Sequence, residues 1–356
     1  MEFVWQYGLF FAKTATVLAA VLVVMARIAS LVMQRRGGER AQLQVVRLNR
    51  QYQRLVRTLQ RQLLSDKQLQ ALHKADAAAE KARRKEPAKD PTKKGEPARH
   101  RVFVLDFKGD MRASQTAALR MEVSAVLGAA HPGDAVLLRL ESPGGVVHGY
   151  GFAAAQVERL RDAGLQVTAA VDQVAASGGY MMAAVAHHII AAPFAVVGSI
   201  GVVAQIPNFY KWLQRREVDV ELVTAGRHKR TLTLFGENTP EGRAQMQQEL
   251  QEVHELFQAV VTKHRPKLDM AEVASGRAWY GASALKLGLV DALETSDAWL
   301  ARAMADSDVY ALRWHHDHGL GSRLSGWVAR TAARAVELGV EKAWRRTAAT
   351  QLPEHR

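Results

Sequence analysis

Two short stretches of this sequence combine a serine with a pair of glycines, and together they could perform acyl transfer. In VDQVAASGGYMMAAVA, residues 171–186, an apolar run stops at Ser177 and two glycines and then resumes. A serine in that position either caps the following helix or is exposed on a tight turn as a nucleophile. Acyl transfer also needs backbone N–H groups that face the developing oxyanion, and glycine-rich turns expose them. Ser177 is therefore the candidate nucleophile, and Gly144, Gly145 and Gly178 are the candidate oxyanion-hole donors.

A serine hydroxyl needs a base that takes its proton, and the sequence offers two arrangements. His148 follows the first glycine pair and Asp172 precedes the serine, so a histidine–carboxylate pair is one of them. Lys229 is the other, in the turn-rich stretch TAGRHKRTLTLFGENTPEGR, where a histidine and an arginine flank it. A lysine acts as a base only where burial or neighbouring cations lower its pKa. The residue types and their spacing leave the choice between His148 and Lys229 open.

The elements that would position these residues alternate between strand and helix. Strands are predicted at VFVLDF, DAVLLRLES and LQVTAAVD, and helices between them at ASQTAALRMEVSAVLGAA and YGFAAAQVERLRDAG. This alternation is typical of βαβ units in a largely parallel sheet, whose functional sites form beyond the carboxyl ends of the strands. Both glycine pairs fall at such ends. A further strand, VDVELVT (218–224), is predicted before Lys229.

The composition excludes several kinds of site. The 356-residue chain contains no cysteine, which rules out disulfide bonds, thiolate metal sites and a cysteine nucleophile. The histidines and carboxylates do not stand at a spacing that completes a metal site, and neither a metal nor another cofactor is predicted. The length suffices for one large domain or two ordinary ones.

The net charge of +13 is concentrated in one segment. Residues 34–101 contain 19 Lys and Arg against 7 Asp and Glu, whereas residues 102–356 are electrically balanced. Because the basic segment directly follows an apolar one, it is more typical of a surface for anionic lipid or a topology signal than of a nucleic-acid interface. Nucleic acid is therefore not predicted as a partner.

Residues 3–33 are mainly apolar, with only Lys13 and Arg27 charged, which predicts a single membrane-spanning helix. The two cations lie 14 positions apart, so their side chains can extend toward opposite interfaces of the bilayer. No small-residue cleavage site ends the stretch, which favours an uncleaved anchor over a signal peptide.

The chain is accordingly divided into four predicted segments. They are a membrane anchor (1–33), a basic linker that is helical over 41–70 and largely disordered after it (34–101), a catalytic domain (102–300) and a C-terminal extension (301–356). The extension contains a basic amphipathic helix at 322–346, which is typical of a subunit contact or a membrane-surface contact.

Five motifs occur in the order, and at about the distances, found in the signal peptide peptidase A family of membrane-anchored serine–lysine proteases. They are ESPGGVVHGYG, VAASGGYMMA, VGSIGVVAQIPNF, TAGRHKRTLTLFGENT and GRAWYGASALKLGLVD. The sequence resembles the SohB-type branch most, over roughly residues 102–291 and more loosely toward the N-terminus. Two positions depart from the pattern: Glu141 replaces the usual Asn or Asp, and His228 stands where Tyr is common.

The resemblance implies a mechanism and a fold. It makes Ser177 the nucleophile and Lys229 the general base, and it assigns Gly144 and Gly145 to the oxyanion hole. It implies the α/β spiral fold that crotonases and the Clp protease subunit share, assembly into homo-oligomeric rings, and peptide or misfolded protein substrates at the bacterial inner membrane. Members of this family are generally placed with their catalytic body in the periplasm. The arginines that follow the anchor, by contrast, favour the cytoplasm under the positive-inside rule.

Two other functions remain as alternatives. A crotonase-type enzyme would use the same oxyanion hole on an acyl-CoA, although an enolate mechanism does not need Ser177 and Lys229 together. A catalytically silent membrane scaffold needs neither residue.

Overall fold

The computed structural model describes residues 41–71, 74, 75, 78, 100–226, 229 and 232–316. Residues Leu43–Trp314 form a compact unit. The predicted anchor (1–33), the predicted C-terminal helix (322–346) and both neighbours of Lys229 lie outside the described residues. Among the residues that are described, no helix is long and apolar enough to cross a membrane.

Strands and helices alternate along this unit. The strands are β1 (Ala41–Arg47), β2 (Arg101–Lys108), β3 (Ala135–Glu141), β4 (Gln166–Val171), β5 (Val174–Ala176), β6 (His188–Ala191), β7 (Val196–Gly198), β8 (Ala278–Tyr280), β9 (Ala292–Leu293) and β10 (Asp308–His316). The helices are α1 (Leu48–Leu63), α2 (Thr116–Ala129), α3 (Val147–Asp162), α4 (Gly178–Val185), α5 (Tyr210–Gln214), α6 (Pro240–His264), α7 (Met270–Val273), α8 (Gly281–Lys286) and α9 (Ser296–Asp306).

The strands form two sheets. The larger has the order β1-β10-β2-β3-β4-β6-β9, and every described pair from β10 to β9 is parallel. The smaller has the order β5-β7-β8, with β5 and β7 parallel and β8 antiparallel to β7. The chain passes from the larger sheet to the smaller between β4 and β5 and again between β6 and β7, and it returns between β5 and β6 and between β8 and β9. The predicted mixed α/β class with a mainly parallel sheet is confirmed, and the spiral arrangement of crotonases stays a prediction.

The central strands are buried on both faces because both sets of their alternating side chains are apolar. Val104, Leu137 and Leu138 are at most 1% exposed, for example. All eight residues of α4 are buried against the sheets, so the segment that follows Ser177 lies in the core. This placement explains the uniformly apolar sequence of α4.

Two predicted segments differ from the structure, and one strand was not predicted. Residues 41–47, predicted as the start of a polar helix over 41–70, form β1 instead. Helix α1 begins at Leu48 and ends at Leu63. Residues 308–316, which fall in the predicted C-terminal extension, form β10 between β1 and β2. The strand predicted at 218–224 is absent from the structure, where this stretch is irregular and its side chains are exposed.

One buried carboxyl group makes the stability of this fold depend on pH. Glu122 on α2 is 5% exposed and accepts a hydrogen bond of 2.7 Å from the Trp314 N–H on β10. Burial raises the pKa of Glu122 to about 7, because the carboxylate loses its hydration. The unfolded chain ionises near its ordinary value of 4.5. The free energy of unfolding therefore falls as the pH rises from about 4.5 through 7.

We expect Glu122→Gln to raise the free energy of unfolding by about 2–3 kcal/mol at pH 8 and to leave it nearly unchanged at pH 4.5. The amide oxygen still accepts the Trp314 N–H but carries no charge that burial could penalise. Urea unfolding at the two pH values measures the difference, with the exposed Glu252→Gln as the control. An equal gain at both pH values would show that ionisation is not the cause.

Candidate active site

The two serine–glycine turns lie in contact at the carboxyl ends of β3 and β5. Ser142 N–H donates to Val174 O over 2.8 Å, and Ala176 N–H donates to Ser142 O over 3.0 Å. These bonds extend β3 alongside β5. They bring the Gly144 turn against Ser177, so that a Cβ built on Gly144 would lie 2.7 Å from Ser177 Cβ.

Ser177 has a strained backbone, with φ of 51° and ψ of −122°. Non-glycine residues occupy this region at a cost of about 1–3 kcal/mol, and such strain is common at functional sites. The turn is held on both sides, because Ser177 N–H donates to Gly198 O over 2.8 Å and Ser177 O accepts from Met181 N–H over 3.0 Å. The side chain is half-buried and makes no capping hydrogen bond to α4. The interpretation of this serine as a side-chain helix cap is therefore wrong, because its hydroxyl makes no hydrogen bond to the first turn of α4.

The two glycines after Ser177 are required by close packing. A Cβ on Gly178 would lie 2.3 Å from Tyr150 Cγ, and a Cβ on Gly179 would lie 2.7 Å from Ser142 O. Real side chains do not approach so closely, so only glycine lets α4 begin on top of α3 and the end of β3. The apolar run is interrupted at Gly178 and Gly179 because their backbone packs directly against Tyr150 and Ser142 and leaves no room for a side chain.

Backbone N–H groups surround this turn, and some of them make no hydrogen bond among the described residues. Gly144 N–H donates to Ser142 Oγ over 3.1 Å, and Val146 N–H donates to Met111 O over 2.9 Å. Gly145 N–H, between them, and the N–H groups of Gly178 and Gly179, in the first turn of α4, have no such acceptor. Both glycine pairs therefore present unbonded amides beside Ser177.

The candidate bases occupy different surroundings. Lys229 is exposed on a turn in which its N–H donates to Gly226 O over 3.2 Å, and no described contact joins it to Ser177. His148 is exposed in the first turn of α3. Asp172 accepts two hydrogen bonds from Ser296, of 2.7 Å from its N–H and 2.5 Å from its hydroxyl. Asp172 therefore anchors the start of α9, and the structure does not bring it to His148.

Several residues at the site were not found from the sequence. Ser142, Tyr150 and the Asp110 carbonyl form a buried hydrogen-bonded chain beneath the Gly144 turn. Glu141, where the sequence departs from the family pattern, forms an ion pair of 2.9 Å with Lys108 on the neighbouring strand. Within the described residues, no group of three or more His, Asp or Glu side chains is placed to hold a metal ion.

A serine on a strained turn, with unbonded amides beside it at the end of a parallel sheet, is the arrangement of hydrolases that act through an acyl intermediate. Two family models match the chain: Peptidase family S49 N-terminal over residues 2–157 and Peptidase family S49 over residues 159–310. The chain therefore belongs to peptidase family S49, and its function is that of a protease.

The chain is similar to curated relatives and to a solved structure. "Probable protease SohB" of Haemophilus influenzae is 46% identical over 317 residues, which are 86% of this chain and 88% of the relative. The protein of the same name from Buchnera aphidicola subsp. Schlechtendalia chinensis is 44% identical over 84% of this chain and 99% of its own length. A membrane-bound stomatin-specific protease in complex with a substrate peptide overlaps with 65% of this chain and 99% of its own, with a TM-score of 0.40 and 13% identity.

Proposed function

We propose that the chain is a serine endopeptidase in which Ser177 is the nucleophile and Lys229 is the general base. Ser177 Oγ attacks the carbonyl carbon of the scissile peptide bond, and its proton passes to the neutral Lys229 amine. Lys229 then gives this proton to the leaving amine as the tetrahedral intermediate collapses to an acyl-enzyme ester. A water molecule that loses a proton to Lys229 then attacks the ester carbonyl carbon. The bond from this carbon to Ser177 Oγ breaks, the carboxyl product leaves, and the Lys229 ammonium returns the proton to Ser177 Oγ.

The observation that carries this proposal is the conformation of Ser177. The strained turn keeps its hydroxyl away from the helix N–H groups that a serine at this position would ordinarily bond. Strain of this kind persists only where the surrounding structure enforces it, and here hydrogen bonds from both flanks do so. A structural helix start has no need of this geometry, whereas a nucleophile does.

We assign the oxyanion hole to the N–H groups of Gly145 and Gly178. Both amides are unbonded among the described residues, whereas Gly144 N–H donates to Ser142 Oγ. Gly144, one of the three donors predicted from the sequence, is therefore not proposed as a donor. Its role is to leave space beside Ser177, because it has no side chain. Its Cα lies so close to Ser177 and Gly178 N that a Cβ would occupy the approach to both.

The proposal requires that Lys229 comes within hydrogen-bond reach of Ser177 Oγ when substrate binds or copies assemble. Nine large apolar side chains are exposed among the described residues of 203–235, the stretch that includes Lys229, and soluble monomers rarely expose so many within one short stretch. We propose that further copies of the chain cover this segment in a homo-oligomeric ring. The side chains are Val203, Phe209, Trp212, Val218, Val220, Leu222, Val223, Leu234 and Phe235.

The substrates proposed are membrane-associated peptides and misfolded envelope proteins. The apolar sequence of residues 3–33 supports a single-pass anchor in the inner membrane, and the basic residues that follow it support contact with anionic lipid. An anchored peptidase meets substrates at or near the bilayer surface.

Covalent labelling with a fluorophosphonate probe tests the nucleophile and the base. We expect the wild type to be labelled and Ser177→Ala and Lys229→Ala to lose labelling, because the probe reacts only with an activated serine hydroxyl. Ser275→Ala, which removes an exposed serine hydroxyl elsewhere on the surface, is the matched control and should be labelled like the wild type. The full-length protein in detergent or lipid is used, so that any assembly is preserved.

Each departure from this pattern has a distinct meaning. Equal labelling of the wild type, Ser177→Ala and Lys229→Ala would contradict the assignment of the site. Loss of labelling in Ser177→Ala but not in Lys229→Ala would keep the nucleophile and reject the base. An unlabelled, assembled wild type would favour the scaffold alternative.

A further inference from the structure

A chain of three hydrogen bonds lies beneath the proposed oxyanion hole. Gly144 N–H and Ser142 Oγ are 3.1 Å apart, Ser142 Oγ and Tyr150 Oη are 2.5 Å apart, and Tyr150 Oη and Asp110 O are 2.9 Å apart. Ser142 and Tyr150 are both 0% exposed. Buried hydroxyl groups that are fully hydrogen-bonded hold their neighbours in one arrangement, because a lost partner inside the protein is costly.

The chemistry of the groups fixes the direction of this chain. A carbonyl oxygen only accepts hydrogen bonds, so Tyr150 Oη donates its one proton to Asp110 O. Ser142 Oγ must then donate its proton to Tyr150 Oη and accept the Gly144 N–H. Every donor in the series has one acceptor. The series runs without a break from the Gly144 amide to the Asp110 carbonyl.

This arrangement determines which amide of the turn is free. The Gly144 N–H, before Gly145, donates to Ser142 Oγ. The Val146 N–H, after Gly145, donates to Met111 O over 2.9 Å. With both neighbours fixed, the Gly145 N–H has a defined direction and no acceptor among the described residues. Met111 and Asp110 belong to the same loop, so one loop holds both sides of the turn.

Tyr150 also supports the second proposed donor. A Cβ on Gly178 would lie 2.3 Å from Tyr150 Cγ and 2.6 Å from its Cβ, so the first residue of α4 rests on this side chain. The ring of Tyr150 also meets that of Phe107 edge to face, with centroids 6.2 Å apart. Tyr150 therefore contacts both segments that carry the donors: α4 through its ring, and the Gly144 turn through its hydroxyl and Ser142.

We infer that Ser142 and Tyr150 are positioning residues of the peptidase reaction, which hold the Gly145 and Gly178 amides toward the oxyanion. The inference rests on the proposed function and adds two residues that touch neither substrate nor nucleophile in that mechanism. Burial raises the pKa of Tyr150, so its hydroxyl remains a donor at neutral and moderately alkaline pH. The Asp110 carbonyl is itself held, because the Asp110 carboxylate accepts from Ser114 N–H over 2.8 Å and Ser114 Oγ over 2.7 Å.

Tyr150→Phe tests this role because it keeps the ring and removes only the hydroxyl. We expect kcat for a fluorogenic peptide to fall about tenfold with KM within twofold, because the turn supports the transition state more than the ground state. The affinity for a peptide boronic acid, whose tetrahedral adduct places an oxygen in the oxyanion hole, should fall by the same factor.

Tyr180→Phe is the matched control. Tyr180 is also 0% exposed, and its hydroxyl also donates to a backbone carbonyl, Leu289 O, over 2.9 Å. The two variants therefore lose the same kind of bond, but only one loses it beneath the glycine turn. We expect Tyr180→Phe to change kcat and boronate affinity by less than threefold, with a thermal unfolding midpoint lowered about as much as that of Tyr150→Phe.

The remaining outcomes overturn the inference. It is wrong if Tyr150→Phe leaves kcat and boronate affinity unchanged, if it raises KM alone, or if both tyrosine variants lose activity equally. If Tyr150→Phe does not fold, Ser142→Ala, which removes the acceptor of Gly144 N–H, must show the same parallel losses. If neither variant folds, the pair serves the fold alone. A wild type whose activity survives Ser177→Ala would instead refute the proposed function, before either variant is considered.

Discussion

Replacing Gly144 with alanine is expected to lower kcat/KM for peptide hydrolysis by a factor of about 10⁴. The new Cβ would lie 2.7 Å from Ser177 Cβ and 2.9 Å from Gly178 N. It would occupy the space between the proposed nucleophile and a proposed donor, which the substrate carbonyl has to enter. Loss of one oxyanion-hole donor costs about 10²–10³ in kcat, and a displaced Gly144 turn affects two donors at once.

Backbone strain contributes to this substitution and can be measured separately. Gly144 has a φ of +90°, which an alanine adopts only at a cost of about 1–2 kcal/mol. Gly164, after α3, has a φ of +80°, and a Cβ built there has nothing within 4 Å. Gly164→Ala therefore carries the strain without the crowding, and we expect it to lower stability slightly and leave kcat/KM unchanged.

Steady-state kinetics with a fluorogenic peptide, together with thermal unfolding of each variant, checks the comparison. Gly151→Ala, on α3 with open space around its Cβ, provides an unstrained control close to the site. More than a tenth of wild-type activity in folded Gly144→Ala, or an equal loss in Gly164→Ala, would place the substrate carbonyl elsewhere.

Features that depend on neighbouring residues were predictable from the sequence. The alternation of strands and helices from 102 to 171 is confirmed, because period and turn chemistry are local properties. The contact between the two glycine turns did not follow from the predicted strands, because Ser177 comes after β5, an unpredicted strand of the smaller sheet, and not directly after β4. The strain at Ser177 did not follow from its sequence. Capping and exposed serines have the same residue types around them, and only the backbone angles distinguish the two.

Features that depend on distant partners were not predictable. Residues 41–47 form a strand because β10, more than 250 positions later in the chain, pairs with them. Asp172 stands beside Ser177 in sequence, which suggested a catalytic partner, but its carboxylate binds Ser296, 124 positions away. Tyr150 is one apolar position on a predicted helix, and its acceptor, the Asp110 carbonyl, lies 40 positions earlier. Tertiary packing determines these partners, so the residues next to each position in the sequence do not predict them.

Lys229→Arg is expected to abolish peptide hydrolysis, with a loss of about 10⁴ or more in kcat. Arginine keeps the positive charge, but its guanidinium does not give up a proton in proteins and cannot take one from Ser177. Because Lys229 is exposed on its turn, the substitution should leave the thermal unfolding midpoint unchanged. Lys211→Arg, at an exposed lysine of α5, is the control and should retain wild-type turnover.

Substitution of His148 separates Lys229 from this rival base. We expect His148→Ala to change kcat less than threefold, because the proposed mechanism transfers the serine proton to the Lys229 amine and not to an imidazole. His148 is exposed in the first turn of α3, so the variant should also keep the thermal unfolding midpoint of the wild type. Loss of turnover in folded His148→Ala, or substantial turnover by Lys229→Arg, would show that the base has been misassigned, because each contradicts proton transfer to the Lys229 amine.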